Sequence, residues 1–219
     1  MQTQQKDPQT LHFQKLLIVS GIRGSSAIHW QCKLSQVSLR AGARVQFPKF
    51  EDRFRDPQLT AWIELMEKLM PVLDGSTAIV AHSLGCAAAL QFVLKGIQDD
   101  KIKGKLGMLV LTAPSTPGGV LSHPFLVNKL GLRRGILSFF DGLDSATLER
   151  ISERIHRTEL FFADDDLWAD NTQLQSRAHA LNACCHMIPG AGHFSPATSF
   201  SRQVFHVLNE PHEERFQFK

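Results

Sequence analysis

Cysteine is scarce in this chain. The four present, Cys32, Cys86, Cys184 and Cys185, form no C-x-x-C pair of the kind that binds zinc or runs thiol redox chemistry. So few in 219 residues also exclude a disulfide-built scaffold. The thiols are therefore expected to be reduced and mostly buried. Long apolar runs are missing as well. None approaches the ~20 residues that a membrane-spanning helix needs. The stretch from Met1 to Gln14 is polar and lacks the apolar core of a secretory leader. No membrane association and a cytoplasmic location are the expectations. Nor is charge of one sign concentrated. The formal net charge is +3, and the densest basic groups are Lys101, Lys103, Lys105 and the pair Arg133 and Arg134. A nucleic-acid partner calls for a basic stripe or a recognition motif, and neither is present. Internal repeats and low-complexity segments are absent too.

What is present is an ordinary globular composition, 43% apolar and 21% charged. The length suits one α/β domain spanning 1–219, with flexible ends at 1–14 and 209–219. Short apolar runs alternate with longer amphipathic ones, the pattern of repeated βα units around a mostly parallel sheet. Six strands are expected: Leu16–Ser20, Arg44–Phe47, Thr77–Ala81, Gly107–Leu111, Leu160–Ala163 and Cys184–Ile188. Helices are expected from about Ile28 to Leu39, after Asp56-Pro57 as N-cap and first helical residue, from Leu84 to Leu94, through Leu148, Ile151 and Ile155, along Leu174, Ala178 and Leu181, and from about Pro196 to Leu208. Residues from about 113 to 144 are irregular and rich in proline and glycine. They read as a small cap whose Phe125, Leu126, Phe139 and Phe140 line an acyl pocket or, by preference, form the cap's own core.

Ala81-His82-Ser83-Leu84-Gly85 carries the functional signal. A strand precedes it and a helix follows, the setting of a nucleophile elbow. The turn is so tight that small residues are needed two positions either side of the serine. Gly85 meets that need, and Ala81 adds only a methyl group. Such an elbow lifts the Ser83 hydroxyl over the C-terminal edge of the sheet, where open α/β folds place ligands. It also aims the Leu84 N–H at the space where an oxyanion forms. The plainer reading is a strand-to-helix turn in which Ser83 only caps the helix. His82 reads as a packed or hydrogen-bonded neighbour.

A serine nucleophile needs a base, and the base needs an orienting acid. In this fold they follow in the order serine, acid, histidine. His193, within Gly190-Ala191-Gly192-His193-Phe194, stands on a glycine-flanked loop after the sixth strand. His179, His186 and His206 read as surface or packing residues. The acid lies among Asp164, Asp165 and Asp166, after the fifth strand. The spacing alone does not choose between them, and it does not resemble a calcium loop, so no metal and no cofactor are expected. Ser20-Gly21-Ile22 follows the first strand, and the Ile22 N–H is the candidate second oxyanion donor. A phosphate loop is the rival reading there, and a weak one, because Gly-Ile-Arg-Gly lacks the Gly-Lys-Ser/Thr ending and the nucleotide spacing.

These pieces, with His29-Trp30, Asp56-Pro57 ahead of Trp62, and Gly192-His193-Phe194, occur in an order that resembles the YdeN-type serine hydrolases, the group that includes retinoblastoma-binding protein nine. The resemblance implies a three-layer α/β-hydrolase with a serine–aspartate–histidine triad: Ser83, Asp166 and His193, with Asp165 as alternate acid. Two departures stand out. Ala81 replaces a common glycine, and the segment from Pro114 to Arg157 is longer than usual. The L-x-C-x-E retinoblastoma-binding motif is absent, so that partner is not implied. The expectation is hydrolysis of an ester, thioester or amide in a small acyl substrate, carboxylesterase-like, through an acyl-enzyme. Acyl transfer by the same triad and a non-catalytic hydrolase-fold binding protein are the alternatives.

Overall fold

Leu16–Val19, Ala78–Ala81 and Met108–Leu111 are apolar without alternation, the signature of strands covered on both faces. A computed structural model describes residues 12–22, 29–50, 57–122, 133–194 and 200–210 and bears this out. The strands are β1 (Lys15–Val19), β2 (Arg44–Gln46), β3 (Leu73–Asp74), β4 (Thr77–His82), β5 (Ile102–Lys103), β6 (Leu106–Thr112), β7 (Ile155–Phe162) and β8 (Cys184–Met187). Six form one parallel sheet in the order β2-β1-β4-β6-β7-β8. β3 and β5 make a separate parallel pair that the sequence does not announce.

The described helices are α1 (Trp30–Arg40), α2 (Leu59–Leu69), α3 (Leu84–Gln98), α4 (Pro117–Ser122), α5 (Arg133–Ser138), α6 (Ser145–Ser152), α7 (Asn171–Ala180) and α8 (Phe200–Asn209). They sandwich the sheet. Leu16, Ile18, Ala78, Val80, Met108 and Val110 face α1 and α8 through Trp30, Leu34, Phe200 and Val204. Their strand neighbours Leu17, Val19, Ile79, Ala81, Leu109 and Leu111 face α2, α3 and α6 through Trp62, Met66, Val93 and Ile151. Each fully buried Leu, Ile or Val in these layers contributes about 1.5–3 kcal/mol of transfer free energy.

Several boundaries differ from expectation. Pro57 precedes α2 instead of opening it, because Gln58 is still extended (φ −100°, ψ 105°) and is the N-cap; Asp56 lies outside the described residues. Ile155 shares helical spacing with Leu148 and Ile151, yet it opens β7, since α6 ends at Ser152 and the chain turns at Glu153 and Arg154. Of the thiols only Cys86 is buried. Cys184 and Cys185 are exposed because β8 is the edge strand, paired with β7 alone. In the segment from 113 to 144, Phe139 is fully buried, its ring edge-on to Trp62 at 5.0 Å, and Phe140 is 8% exposed. Both belong to the main core. Phe125 and Leu126 lie outside the described residues, as does the expected start of the last helix at Pro196.

The strand order fixes where a ligand fits. From β1 the chain moves to β2 on one side and then crosses to β4 on the other. The crevice beyond the C-terminal ends of β1 and β4 is thus the topological switch point, where open α/β sheets bind ligands. Ser20-Gly21-Ile22 and Ser83 both lie there. The close approach of these two ends depends on Gly85. A Cβ at this position would stand 2.6 Å from the carbonyl oxygens of both Val19 and Ser20. Backbone cannot yield as a side chain can. Gly85→Ala is therefore expected to cost about 3 kcal/mol of stability, read as a lower urea midpoint. An unchanged midpoint would show that β1 and α3 separate freely.

Candidate active site

Ser83 has φ 59° and ψ −130°, a strained backbone for any residue with a Cβ. The strain is held by bonds on both sides. Ser83 N–H donates to Thr112 O (3.0 Å), while the Thr112 hydroxyl donates to Ala81 O (2.7 Å). The Ala81 side chain is fully buried in the core against α3, so the extra methyl group is absorbed there. Leu84 begins α3, putting its N–H at a helix N-terminus. Gly21 completes the crevice: a Cβ there would fall 2.6 Å from Ser83 Cβ and 3.0 Å from Oγ. Only glycine lets the peptide leading to Ile22 pass so near the serine.

The structure brings Ser83, Asp166 and His193 together. His193 Nε2 lies 2.7 Å from Ser83 Oγ. His193 Nδ1 lies 2.9 and 3.0 Å from the two Asp166 oxygens. With Nδ1–H donated to the carboxylate, Nε2 is left free to accept the serine proton. The Asp166 side chain is only 2% exposed, against 19% for His193. Trp168 N–H also donates to Asp166 Oδ1 (2.9 Å), fixing the carboxylate plane.

The three aspartates divide one task. Asp164 Oδ1 accepts from Gly190 N (2.8 Å), Asp165 Oδ1 accepts from Gly192 N (2.7 Å), and Asp166 takes the imidazole. Successive carboxylates thus pin the loop that carries His193, and the ambiguity between Asp165 and Asp166 resolves to Asp166 as the partner of His193. Gly190 and Gly192 have φ 65° and 55°, the left-handed region that glycine enters without penalty. Phe194 also has positive φ (50°), held by its buried ring stacked on Phe200 at 4.5 Å.

Two contacts here have no clear sequence signal. Ser115 shares a hydrogen bond with Ser83 through their hydroxyls (3.3 Å). Its position after β6, next to Pro114, reads as ordinary loop. His82 is 3% exposed, and its Nε2–H donates to the carbonyl of His193 at 2.9 Å. The end of β4, next to Ser83, is thereby tied directly to the loop bearing His193. An alternating strand pattern shows that His82 points away from the core side of Ala81, but not what it meets.

His82 also sits in a row of imidazoles, with ring centroids 5.0 Å from His29 and 5.1 Å from His193. Burial and the neighbouring His193 hold both His29 and His82 well below the usual imidazole range, His29 at about 4. Both are therefore neutral in the folded protein at pH 7. Unfolded, each binds a proton near pH 6.5, so the folded state is penalised as pH falls from 6.5 toward 4. The Tm is expected to drop by at least about 5 °C between about pH 7.5 and 5, and less in His29→Gln. A Tm flat across that range would contradict the burial argument.

The profile of the serine hydrolase family matches residues 16–208. The chain belongs to this family. Among curated relatives, YdeN of Bacillus subtilis, named as a hydrolase, is 24% identical over 187 residues, covering 85% of this chain and 89% of that protein. The crystal structure of the same ydeN gene product superposes with a TM-score of 0.69 at 22% identity, covering 89% of this chain and 96% of that one. An esterase domain from Rhodothermus marinus superposes with a TM-score of 0.64 at 15% identity, covering 93% and 87%. The fold is the α/β-hydrolase fold. Serine hydrolase membership and this fold make the chain an enzyme of the hydrolase class. No helix among the described residues is long and apolar enough to cross a membrane.

Proposed function

We propose that the protein hydrolyses a carboxylic ester, thioester or amide of a small acyl substrate through an acyl-enzyme on Ser83. The observation that carries this reading is the continuous relay from Asp166 through His193 to Ser83 Oγ, with contacts of 2.9 and 2.7 Å. Ser83 Oγ attacks the acyl carbon as its proton passes to His193 Nε2. The negative charge on the carbonyl oxygen is held by the N–H groups of Leu84 and Ile22. Collapse of the tetrahedral species breaks the bond to the leaving group, which takes the proton from the imidazolium. Water then repeats the sequence in reverse and frees the acid. Asp166 stays ionised throughout, fixing the tautomer and stabilising the imidazolium.

The test is turnover of p-nitrophenyl esters of graded acyl length, with a burst of nitrophenol equal to the enzyme concentration when deacylation is slow. Measurable turnover that disappears in Ser83→Ala supports the reading. Turnover that persists in that variant contradicts it.

His82 acts here as a positioning residue, through the carbonyl of His193. His82→Phe keeps the shape and removes the donor. A displacement of the base by about 1 Å is worth about 10²-fold in kcat, so a loss of that order with KM little changed is expected. His82→Gln keeps an N–H at a similar reach and is expected to recover most of the loss. Equal activity of the two variants would show that the donor is immaterial.

A further inference from the structure

We infer that Glu159, Cys184 and His186 form a site for one divalent zinc-like ion, clamping the edge strand β8 to β7. The inference is independent of the proposed catalytic reaction. Glu159 pairs in register with Cys184, and Phe161 with His186. Residues two apart on a strand share a face, so the three side chains gather on one side of the sheet. A carboxylate oxygen, a sulfur and an imidazole nitrogen there all lie within 4.8 Å of one another. A sulfur, nitrogen and oxygen donor set suits a borderline-soft ion such as Zn(II), completed by one water in a tetrahedron.

The surroundings favour a cation. Glu159 is only 1% exposed, an expensive place for a carboxylate. Arg157 donates to its Oε1, orienting the group as an outer-shell partner orients a ligand. Oε2 is the oxygen turned to His186 Nε2, to which it is hydrogen-bonded. Phe161 stacks on the His186 ring (4.3 Å between centroids, 16° between planes), fixing the direction of Nε2. Glu210 faces Arg157 from the end of α8 (3.2 Å), so its charge offsets that of the guanidinium. Two carboxylates, one guanidinium and a Cys184 thiolate together leave two negative charges, which a divalent ion neutralises. His186 is 24% exposed and Cys184 is exposed, giving an entry route.

Binding would form three metal–ligand bonds and displace one proton, from the Cys184 thiol, while His186 ligates through Nε2 as the neutral tautomer with its proton on Nδ1. Tetrahedral bonds of about 2.0–2.3 Å put ligand atoms about 3.4–3.7 Å apart. The Glu159–His186 hydrogen bond must therefore open to admit the ion.

Chelator-treated, reduced full-length protein titrated with Co(II) tests this directly. The expected result is a thiolate-to-cobalt charge-transfer band with tetrahedral visible bands, saturating at one ion per chain and bleached by Zn(II). Cys184→Ser should abolish the charge-transfer band, while Cys185→Ser, altering the next residue on the opposite strand face, should leave it. His186→Gln should weaken Co(II) binding at least about 10-fold. Zn(II) should raise the Tm of the parent protein and not that of Cys184→Ser. Absence of the band in the parent, or a band lost with Cys185→Ser and kept with Cys184→Ser, would overturn the assignment. If Cys184→Ser does not fold, His186→Gln decides: unchanged binding rejects the site.

Discussion

Ser83→Ala is expected to lower turnover of an activated ester by about 10⁶-fold, with the fold intact. The hydroxyl is the only atom removed. The elbow itself is held by Ser83 N–H on Thr112 O and by the Thr112 hydroxyl on Ala81 O, both of which alanine keeps. Alanine tolerates the strained φ of 59° no worse than serine, so stability should change by less than about 1 kcal/mol. The parent-like far-UV spectrum and urea midpoint of Ser83→Ala are the control. His193→Ala should fall nearly as far, and the double variant little further, because the two groups act as one unit. The Ser115 hydroxyl stands 3.3 Å from that of Ser83 and is the rival nucleophile to exclude. Among the described residues no imidazole is hydrogen-bonded to Ser115, so Ser115→Ala should cost far less than Ser83→Ala. Comparable losses in the two would contradict the assignment of the nucleophile.

The second large effect concerns the acid. Asp166→Asn should lower kcat by about 10⁴-fold with KM little changed. An amide at this position can present its N–H to His193 Nδ1, which then becomes the acceptor. The proton moves to Nε2, and the imidazole faces Ser83 with a donor instead of a base. Asp164→Asn and Asp165→Asn test the division of labour among the three aspartates. Each leaves an amide oxygen able to accept from Gly190 N or Gly192 N. Their losses should be about 10-fold or less, arising from a looser loop. A larger loss in Asp165→Asn than in Asp166→Asn would reassign the acid.

The candidate site was readable in the sequence to the extent that local context specifies it. Ser83 could be picked out because Ala81 and Gly85 are small and a strand and helix flank them. His193 could be picked out because Gly190 and Gly192 permit an abrupt loop. The choice among Asp164, Asp165 and Asp166 was not readable from spacing, only from the family resemblance, since adjacent carboxylates differ only in which donor each meets. That depends on how two loops, more than twenty residues apart, settle over one sheet edge. His82 shows the same limit. Its burial follows from strand alternation, but its partner is a backbone carbonyl 111 residues away, which leaves no mark in the sequence. The fold was legible for parallel, doubly covered strands such as β1, β4 and β6, whose apolar runs are unbroken. It failed where spacing was ambiguous, as at Ile155, or where an edge strand exposes residue types that are usually buried, as at Cys184 and Cys185.

Reaction with a fluorophosphonate, followed by mass mapping of the modified peptide, tests the central claim most directly. The account predicts one phosphonyl group per chain, on Ser83, with labelling slowed by orders of magnitude in His193→Ala and unaffected in Cys86→Ala. Folded protein that stays unlabelled, or that carries the label on Ser115 or another serine, would contradict it.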